Sequence, residues 1–510
     1  MPIRTYGLSG SGMDVDKLVT DMMKAQRVRY DSMAQKKTLV EWKKADLNSM
    51  YTAINAFRKS VYNYKLSTTV QPKQVISSND SVVKASANAA AANLSHTIDV
   101  KGLAEGAQKV SSASITPGNA VNKDTLSNQF YDGAWGSFDA FTIKISDGAK
   151  SKDIKVDPSK SIYDLVNDIN SAGTNIKANY DAALDRFFVY NNQTGFDQKI
   201  DLTGSSKDGL TFLKDKLKLD PNAVANGEDA KFFLDGLKDS EGEPILFKQK
   251  TNNFTISGVT YDLKDKDKGT VTINVLPDND KAVEAVKSFV DDYNTLLSTI
   301  NGKLSEKRYK NFLPLTADQR SAMSESEIKN WEEKAKSGML LRHPMLQNLV
   351  YSIRNDISNP VAGLTGINPV NRARYNTMAS IGITTGSWDE NGKLYLDEAK
   401  LKEALEYDPD IVSKMFATNG DDSSEQGIAT RLYDTLQGGI EKIKTEAGIT
   451  PTETKSTLAK LIKDYDDSLY NFNKKLIALE ERYYQQFNAM EAALNKISQQ
   501  SNWLAKQFGS

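Results

Sequence analysis

The sequence predicts an α+β multidomain protein. Long coiled-coil-type helices at both termini form a leg and a helical domain, and two β-rich domains are inserted between them. Two stretches without Gly or Pro, residues 13–71 and 453–508, carry apolar residues at steps of three or four. The sequence between them contains short runs of alternating apolar and polar residues, as half-buried strands do. The order of helices, strands and helices indicates a β-rich middle that interrupts one helical domain.

The C-terminal stretch gives the stronger of the two long-helix predictions. Its apolar seam keeps steps of three or four residues from Leu458 to Tyr483, which is the pattern of a coiled coil. Two successive steps of four around Tyr483 form a local stutter that relaxes the supercoil. A straight helix of this length spans roughly 80 Å. A stripe this long must be buried against another helix of the chain, against other copies, or against both.

The N-terminal stretch offers the partner helix. Strict spacing runs from Leu47 to Tyr64. Upstream of that segment the seam positions become polar, so we expect a weak joint at Tyr30–Lys37 between two helical pieces. A second apolar cluster, which includes Leu18 and Met22, lies before this joint.

The apolar residues of these two stretches are the predicted assembly surface. Such a surface joins subunits by burying apolar side chains and needs no chemical site. The predicted interface residues are Leu18, Met22, Leu47, Ile54, Phe57, Val61, Leu476, Leu479, Tyr483, Phe487, Met490, Leu494, Ile497, Leu504 and Phe508.

The middle of the chain contains two β-rich predictions. Residues 139–204 are expected to form a compact β-β-α-β-β unit, and residues 229–276 a further group of strands. Residues 112–138 are rich in Ser, Gly and Asn, which favours a loop. The predicted domains are terminal leg helices at 1–36 and 475–510, a helical domain at 37–71 and 277–474, a β-rich domain at 72–138 and 205–276, and an inserted domain at 139–204.

The part of the chain that precedes the C-terminal arm is predicted to be mainly helical. A β-hairpin near 381–396 is expected around Asn391-Gly392, a pair that favours a type I′ turn. The expected helices are at 325–337, 345–357, 397–406, 409–416 and 427–445.

Composition excludes several classes of function. Lys plus Arg number 65 and Asp plus Glu number 66, so the basic footprint of nucleic-acid or anionic-membrane binding is missing. Cysteine is absent, which excludes disulfides, thiolate nucleophiles and Cys-based metal sites. No apolar run approaches the roughly 20 residues of a membrane span, so no membrane insertion is expected. The N-terminus shows no apolar region of a cleaved secretory signal.

The candidate chemical sites all favour a structural interpretation. The two histidines, His96 and His343, lie in no nucleophile or metal motif. The Gly-rich stretch at 7–12 lacks both the preceding strand and the following Lys-Ser/Thr of a phosphate-binding loop. Residues 387–398 partly match a calcium loop, but position 1 is Ser387, and a β-hairpin explains the same residues. We therefore predict no catalytic residue, no cofactor and no metal.

Several segments resemble the bacterial flagellar filament cap protein family, also called flagellar hook-associated protein 2. The opening GLSGSGMDVDKLVTDMM at 7–23 is similar to the N-terminal signature of that family, and QKKTLVEWKKADL at 35–47 to its first helix. Residues 314–342 and 381–416, together with GIATRL at 427–432, resemble its C-terminal region. Residues 139–204, with Ile169-Asn170, resemble the flagellin hook IN motif, which other hook proteins share.

This resemblance implies a structural, non-enzymatic role. Members of the family cap the growing filament at the extracellular tip of the flagellum and promote the polymerisation of exported flagellin. They form homo-oligomers, usually pentamers, with β-rich plates on helical legs. The resemblance also implies export by the flagellar type III route without a cleaved signal peptide, and an export chaperone at the C-terminal helix.

Two other classes of function are compatible with the sequence. The chain could be a different flagellar axial or junction protein, although the segments at 7–23 and 314–342 argue against it. It could also be a surface adhesin whose β domains contact host mucin or glycan, alone or together with capping.

Overall fold

The computed structural model describes residues 14–118, 120, 122–131, 139–367, 372 and 374–508. The chain divides into two compact units, one made of Met1–Gln71 with Asn279–Ser510 and the other of Pro72–Asp278. The first unit is helical and the second is β-rich. The predicted fold class, with long terminal helices around a β-rich middle, is therefore confirmed.

The helices of the described residues, numbered in chain order, are dominated by one long helix near each end. They are α1 Val15–Tyr64, α2 Ser67–Val70, α3 Leu126–Gln129, α4 Ile162–Asn170, α5 Lys207–Thr211, α6 Asn279–Ser305, α7 Ala317–Ser321, α8 Glu325–Lys336, α9 Pro344–Ser358, α10 Glu398–Tyr407, α11 Ile411–Ala417, α12 Ile428–Ala447 and α13 Thr457–Phe508.

Most strands of the described residues belong to the β-rich unit, and one hairpin belongs to the helical unit. They are β1 Lys73–Ser77, β2 Val83–Ala87, β3 Ser95–Gly102, β4 Gln108–Val110, β5 Phe141–Ser146, β6 Ser151–Val156, β7 Ile176–Asp181, β8 Arg186–Asn191, β9 Lys199–Ile200, β10 Ala225–Asn226, β11 Ala230–Leu234, β12 Phe247–Gln249, β13 Asn253–Ile256, β14 Val259–Leu263, β15 Thr270–Pro277, β16 Ile383–Thr385 and β17 Leu394–Leu396.

Helix α1 is one uninterrupted helix of 50 residues, so the predicted joint at Tyr30–Lys37 is wrong. Two polar residues in this region, Arg29 on the seam and Gln35 off it, have distant partners that spacing alone does not reveal. The Arg29 guanidinium lies 5.8 Å from the ring centroid of Phe472. Gln35 Nε2 donates a hydrogen bond of 2.7 Å to the Pro314 carbonyl. The predicted domain limits at 36/37 and 474/475 accordingly fall inside α1 and α13.

The core of the helical unit forms where α1 packs against α6 and α12, with α9 packed on α12. Aromatic rings meet at its centre. The Phe289 and Phe416 rings are edge-on, with centroids 4.9 Å apart, and the Tyr64 ring lies 5.4 Å from that of Phe289. Such pairs add about 0.5–1.5 kcal/mol each to the free energy gained by burial. The second half of α1 is therefore an integral part of this core.

The β-rich unit has two hydrophobic cores. The first lies between a five-stranded antiparallel sheet of order β1-β15-β3-β11-β12 and a three-stranded sheet of order β13-β14-β2. Inward residues alternate with outward ones along β15, where Val271, Ile273 and Val275 are buried. This alternation places one face of the sheet in the core.

The second core is larger than the predicted inserted domain at 139–204. It includes Ala107, Leu126 and Phe130 from before that range and Phe212 and Leu217 from after it. Strand β4 also pairs with β8 of the inserted unit and not with the first core. The prediction of a loop at 112–138 is wrong for α3, whose Leu126 is buried; residues 119, 121 and 132–138 of that range are outside the described part of the chain.

The hairpin near 381–396 forms, but its predicted two-residue turn is wrong. Residues Thr385 and Leu394 pair, which leaves residues 386–393 as the connection. A short 3₁₀ turn at Trp388–Glu390 lengthens this loop. Asn391 and Gly392 have φ values of 55° and 94°, so the pair adopts the left-handed conformation that it favours, inside a longer loop.

Candidate functional site: the paired terminal helices

Helices α1 and α13 pack against each other in antiparallel directions. Near the start of α1, the Tyr484 hydroxyl donates a hydrogen bond of 3.0 Å to Asp16 Oδ1. Further along, Lys37 Nζ lies 2.7 Å from Asp466 Oδ1. Because residue numbers rise along one helix and fall along the other, the first turn of α1 lies opposite the middle of α13.

The apolar part of this pairing forms a small core of its own. Val15, Val19 and Met23 of α1 are buried with Leu476 of α13. Burying each such side chain contributes about 1.5–3 kcal/mol. Three of the predicted interface residues on α13 pack against this cluster and are half-buried: Leu479, Tyr483 and Phe487.

Beyond Phe487, the apolar stripe of α13 continues with its side chains exposed. Met490 is 40% exposed, Leu494 38%, Ile497 59% and Leu504 47%. We name these four residues the distal stripe. Helix α1 begins at Val15, and its Asp16 is bonded to Tyr484, so α1 does not extend along this stripe. Exposed apolar residues that recur along one stripe of a long helix are typical of a surface that another chain covers.

The remaining predicted interface residues divide into two groups. Leu18 and Met22 are 40% and 39% exposed on α1. Leu47, Ile54, Phe57 and Val61 are at most 4% exposed and lie in the core of the helical unit, so they face their own chain. The side chain of Phe508 is outside the described part of the chain. Trp503 is also exposed, at 59%, but it falls one residue off the seam spacing, so periodicity did not indicate it.

Around Lys43 and Lys44, polar contacts join α1 to neighbouring parts of the helical unit. Lys43 Nζ donates to Glu446 Oε1 at 2.7 Å, and His343 Nε2 lies 3.3 Å from the same oxygen. The neighbouring Lys44 is buried, and its ammonium donates to the carbonyls of Pro451 and Glu453 at 2.9 and 2.7 Å. These bonds join α1, α12, the residue that precedes α9 and the connection between α12 and α13.

The hydrogen bond with His343, and after it the Lys43 ammonium, lowers the pKa of Glu446 to about 2 against the opposing effect of burial. The folded pKa thus lies below the ordinary value of 4.5. The resulting stabilisation is fully present above pH 4.5 and is lost as the pH falls toward 2.

We expect Glu446→Gln to lower the free energy of unfolding by about 1–3 kcal/mol at pH 7, because the hydrogen bonds of Lys43 and His343 lose their charged acceptor. The variant should also lose less stability than the wild type between pH 5 and pH 3. Urea unfolding followed by tryptophan fluorescence measures this, since Trp42 and Trp331 both belong to the helical unit. Parallel stability–pH curves for the two proteins would contradict the assigned role of Glu446.

The candidate chemical residues take structural positions. His96 Nδ1 lies 2.8 Å from Asp235 Oδ2 in the β-rich unit, whereas His343 joins the Glu446 anchor. Residues 387–398 cover most of the hairpin loop, strand β17 and the first residue of α10, and in the loop Ser387 N–H donates to Glu390 Oε2 at 2.8 Å. Within the described residues, no group of three or more His, Cys, Asp or Glu side chains could hold a metal ion. None of the helices described is both long and apolar enough to span a membrane.

Comparison with known proteins identifies the family of the chain. The model for the N-terminus of flagellar hook-associated protein 2 matches residues 11–107, and the model for its C-terminus matches residues 227–499. Flagellar hook-associated protein 2 of Halalkalibacterium halodurans is 30% identical over 98% of both chains. The B-type protein of Pseudomonas aeruginosa is 26% identical over 91% of this chain and 89% of its own.

A solved structure shows the same fold. The D1-D2-D3 domains of the flagellar cap protein FliD from Escherichia coli superpose with a TM-score of 0.55, at 17% identity, over 82% of this chain and 99% of that chain. The residues between the two family matches, 108–226, hold most of the second β core. Family models that cover α1 and also α13 as far as residue 499, with a relative matched along nearly its whole length, establish membership. The chain therefore belongs to the flagellar hook-associated protein 2 family, which is a family of structural proteins of the flagellar cap.

Proposed function

We propose that this protein caps the distal end of the bacterial flagellar filament and promotes the polymerisation of exported flagellin beneath it. It acts as a homo-oligomer, with the pentamer as the favoured state. The paired helices α1 and α13 form the legs, and the β-rich unit forms the plate. The function is structural, so contacts replace an active site.

The observation that carries this proposal is the distal stripe. Met490, Leu494, Ile497 and Leu504 continue the seam of α13 past the part that α1 buries, and all four are exposed. Burying such side chains against other subunits or against the filament end supplies association energy. Leu18 and Met22 add exposed apolar area on α1.

The same stripe supports a proposal for the state before assembly. An exposed apolar stripe on a helix promotes non-specific association until it is covered. We therefore expect a dedicated export chaperone to bind the C-terminal helix inside the cell. The protein then leaves by the flagellar type III route without signal cleavage and acts at the tip.

Complementation tests this function. Cells that lack their own cap protein should regain filaments when they express this chain, and the flagellin that leaks into the medium should decrease. A hook–filament junction protein or an adhesin without capping activity would restore neither. Continued leakage of flagellin, despite export of the folded chain, would overturn the proposal.

A further inference from the structure

At the middle of one edge strand of the β-rich unit, both edge-facing backbone groups of one residue are bonded by a side chain. Strand β7 is the edge strand of the sheet β4-β8-β7. At the middle of β7, the Ala178 N–H donates to Asn170 Oδ1 at 2.8 Å, and Asn170 Nδ2 donates to the Ala178 carbonyl at 3.1 Å. Both backbone groups with which Ala178 could bond another strand are therefore occupied by one carboxamide.

An asparagine carboxamide can take this place because it carries the same donor and acceptor as a peptide group. Asn170 is the last residue of α4, which packs against β7, and the preceding Ile169 is buried in the second core. Lys177 Nζ donates to the Asn170 carbonyl at 2.7 Å and holds its backbone against the strand. The helix end, the buried neighbour and the lysine together orient the carboxamide toward Ala178.

The edge that Asn170 closes is complementary to itself. Since edge-facing groups recur every second residue, Ile176, Ala178 and Tyr180 present theirs on the same side of β7. The Ile176 N–H is bonded to Thr174 Oγ1 at 3.3 Å, so Ala178 and Tyr180 are the residues that could pair with another strand. Two copies of β7 can pair antiparallel about a two-fold axis at Asn179, with Ala178 of each copy opposite Tyr180 of the other. This register places Lys177 opposite Asp181 twice, and opposite charges across a strand pair are stabilising.

We propose that Asn170 closes a latent strand-addition surface, and that the partner it excludes is strand β7 of a second copy of this chain. Unpaired edge strands are templates for association between identical sheets. Asn170 thus keeps subunits that stand side by side from joining through their inserted β units, and it restricts their contacts to other surfaces.

Crosslinking at the two-fold axis tests this inference, because the chain contains no cysteine. In the proposed pair, the two Asn179 residues form a non-hydrogen-bonded position with Cα atoms about 4.5 Å apart, within the range of a disulfide. In the full chain, Asn179→Cys with Asn170→Ala should form disulfide dimers about tenfold faster under a mild oxidant than Asn179→Cys alone.

The matched control is Asn252→Ala in the same Asn179→Cys chain. Asn252 makes the same two-bond clamp on Ala104, at 2.7 and 2.9 Å, but leaves the β7 edge closed. It should therefore leave the rate of dimer formation unchanged. Asn170→Asp, which keeps the acceptor and loses the donor, should give an intermediate rate and serves if Asn170→Ala fails to fold. A rate that neither Asn170 variant raises, or one that Asn252→Ala raises equally, would overturn the proposal.

Discussion

Changing Ile497 and Leu504 together to Asp should nearly abolish filament growth in cells that lack their own cap protein. Each apolar side chain that is buried on assembly contributes about 1.5–3 kcal/mol, and a carboxylate at the same position adds a desolvation cost. Both residues are exposed on α13 and pack against no part of the described core. The variant should therefore fold, and flagellin should leak into the medium. Detection of the variant itself in the medium separates failed seating from a loss of chaperone-dependent export.

Ile477→Asp is the matched control for this experiment. Ile477 lies on the same helix and is 57% exposed, close to the 59% of Ile497, but it is off the apolar seam. It should leave filament length and leaked flagellin near the wild-type values. Normal growth with the Ile497/Leu504 variant would show that the distal stripe is not the surface that seats the protein.

Leu476→Asp should separate the first turns of α1 from α13 without unfolding the rest of the helical unit. Leu476 is 4% exposed and is enclosed by Val15, Val19 and Met23. Losing its burial and placing a charge there should cost about 3–5 kcal/mol. This cost exceeds the stabilisation that the remaining apolar contacts between the two helices can supply. Hydrogen exchange in residues 15–30 should accelerate by about a hundredfold or more, whereas α6 and α12 keep their protection.

The neighbouring Ile477→Asp again provides the comparison, because it adds the same charge one residue away on the exposed face. It should leave the exchange of α1 unchanged. If Leu476→Asp preserved the protection of residues 15–30, the packing of α1 on α13 would contribute little to the leg. The same result would remove the basis for treating the two helices as one structural element.

Periodicity was sufficient to predict the fold class, because a stripe repeated over 50 residues reports burial whatever covers it. It could not predict what covers each part. Leu47 and Ile497 obey the same spacing, yet the first lies in the core of its own chain and the second is exposed. The difference depends on which helices of the chain pack against each part of the stripe, and the sequence pattern does not contain that information.

The errors at Tyr30–Lys37 and at 112–138 share a physical cause. In both, polar or irregular sequence is ordered by residues far away in the chain. The Arg29–Phe472 contact spans more than 400 positions, and Phe130 packs edge-on against Phe212 with ring centroids 5.5 Å apart. Local patterns do not record such contacts. The Ile169-Asn170 pair illustrates the same limit, since its resemblance to the hook IN motif did not reveal that the Asn170 carboxamide bonds the backbone of Ala178.

Electron microscopy of isolated filaments that lack their own cap tests the central claim most directly. Purified protein of this sequence is added to such filaments, together with the Ile497→Asp/Leu504→Asp variant in a parallel sample. We expect density from the wild-type protein at one end of each filament, as a compact oligomer, and bare ends with the variant. Wild-type protein that leaves both ends bare, or that binds along the sides of the filament, would contradict its assignment as the filament cap.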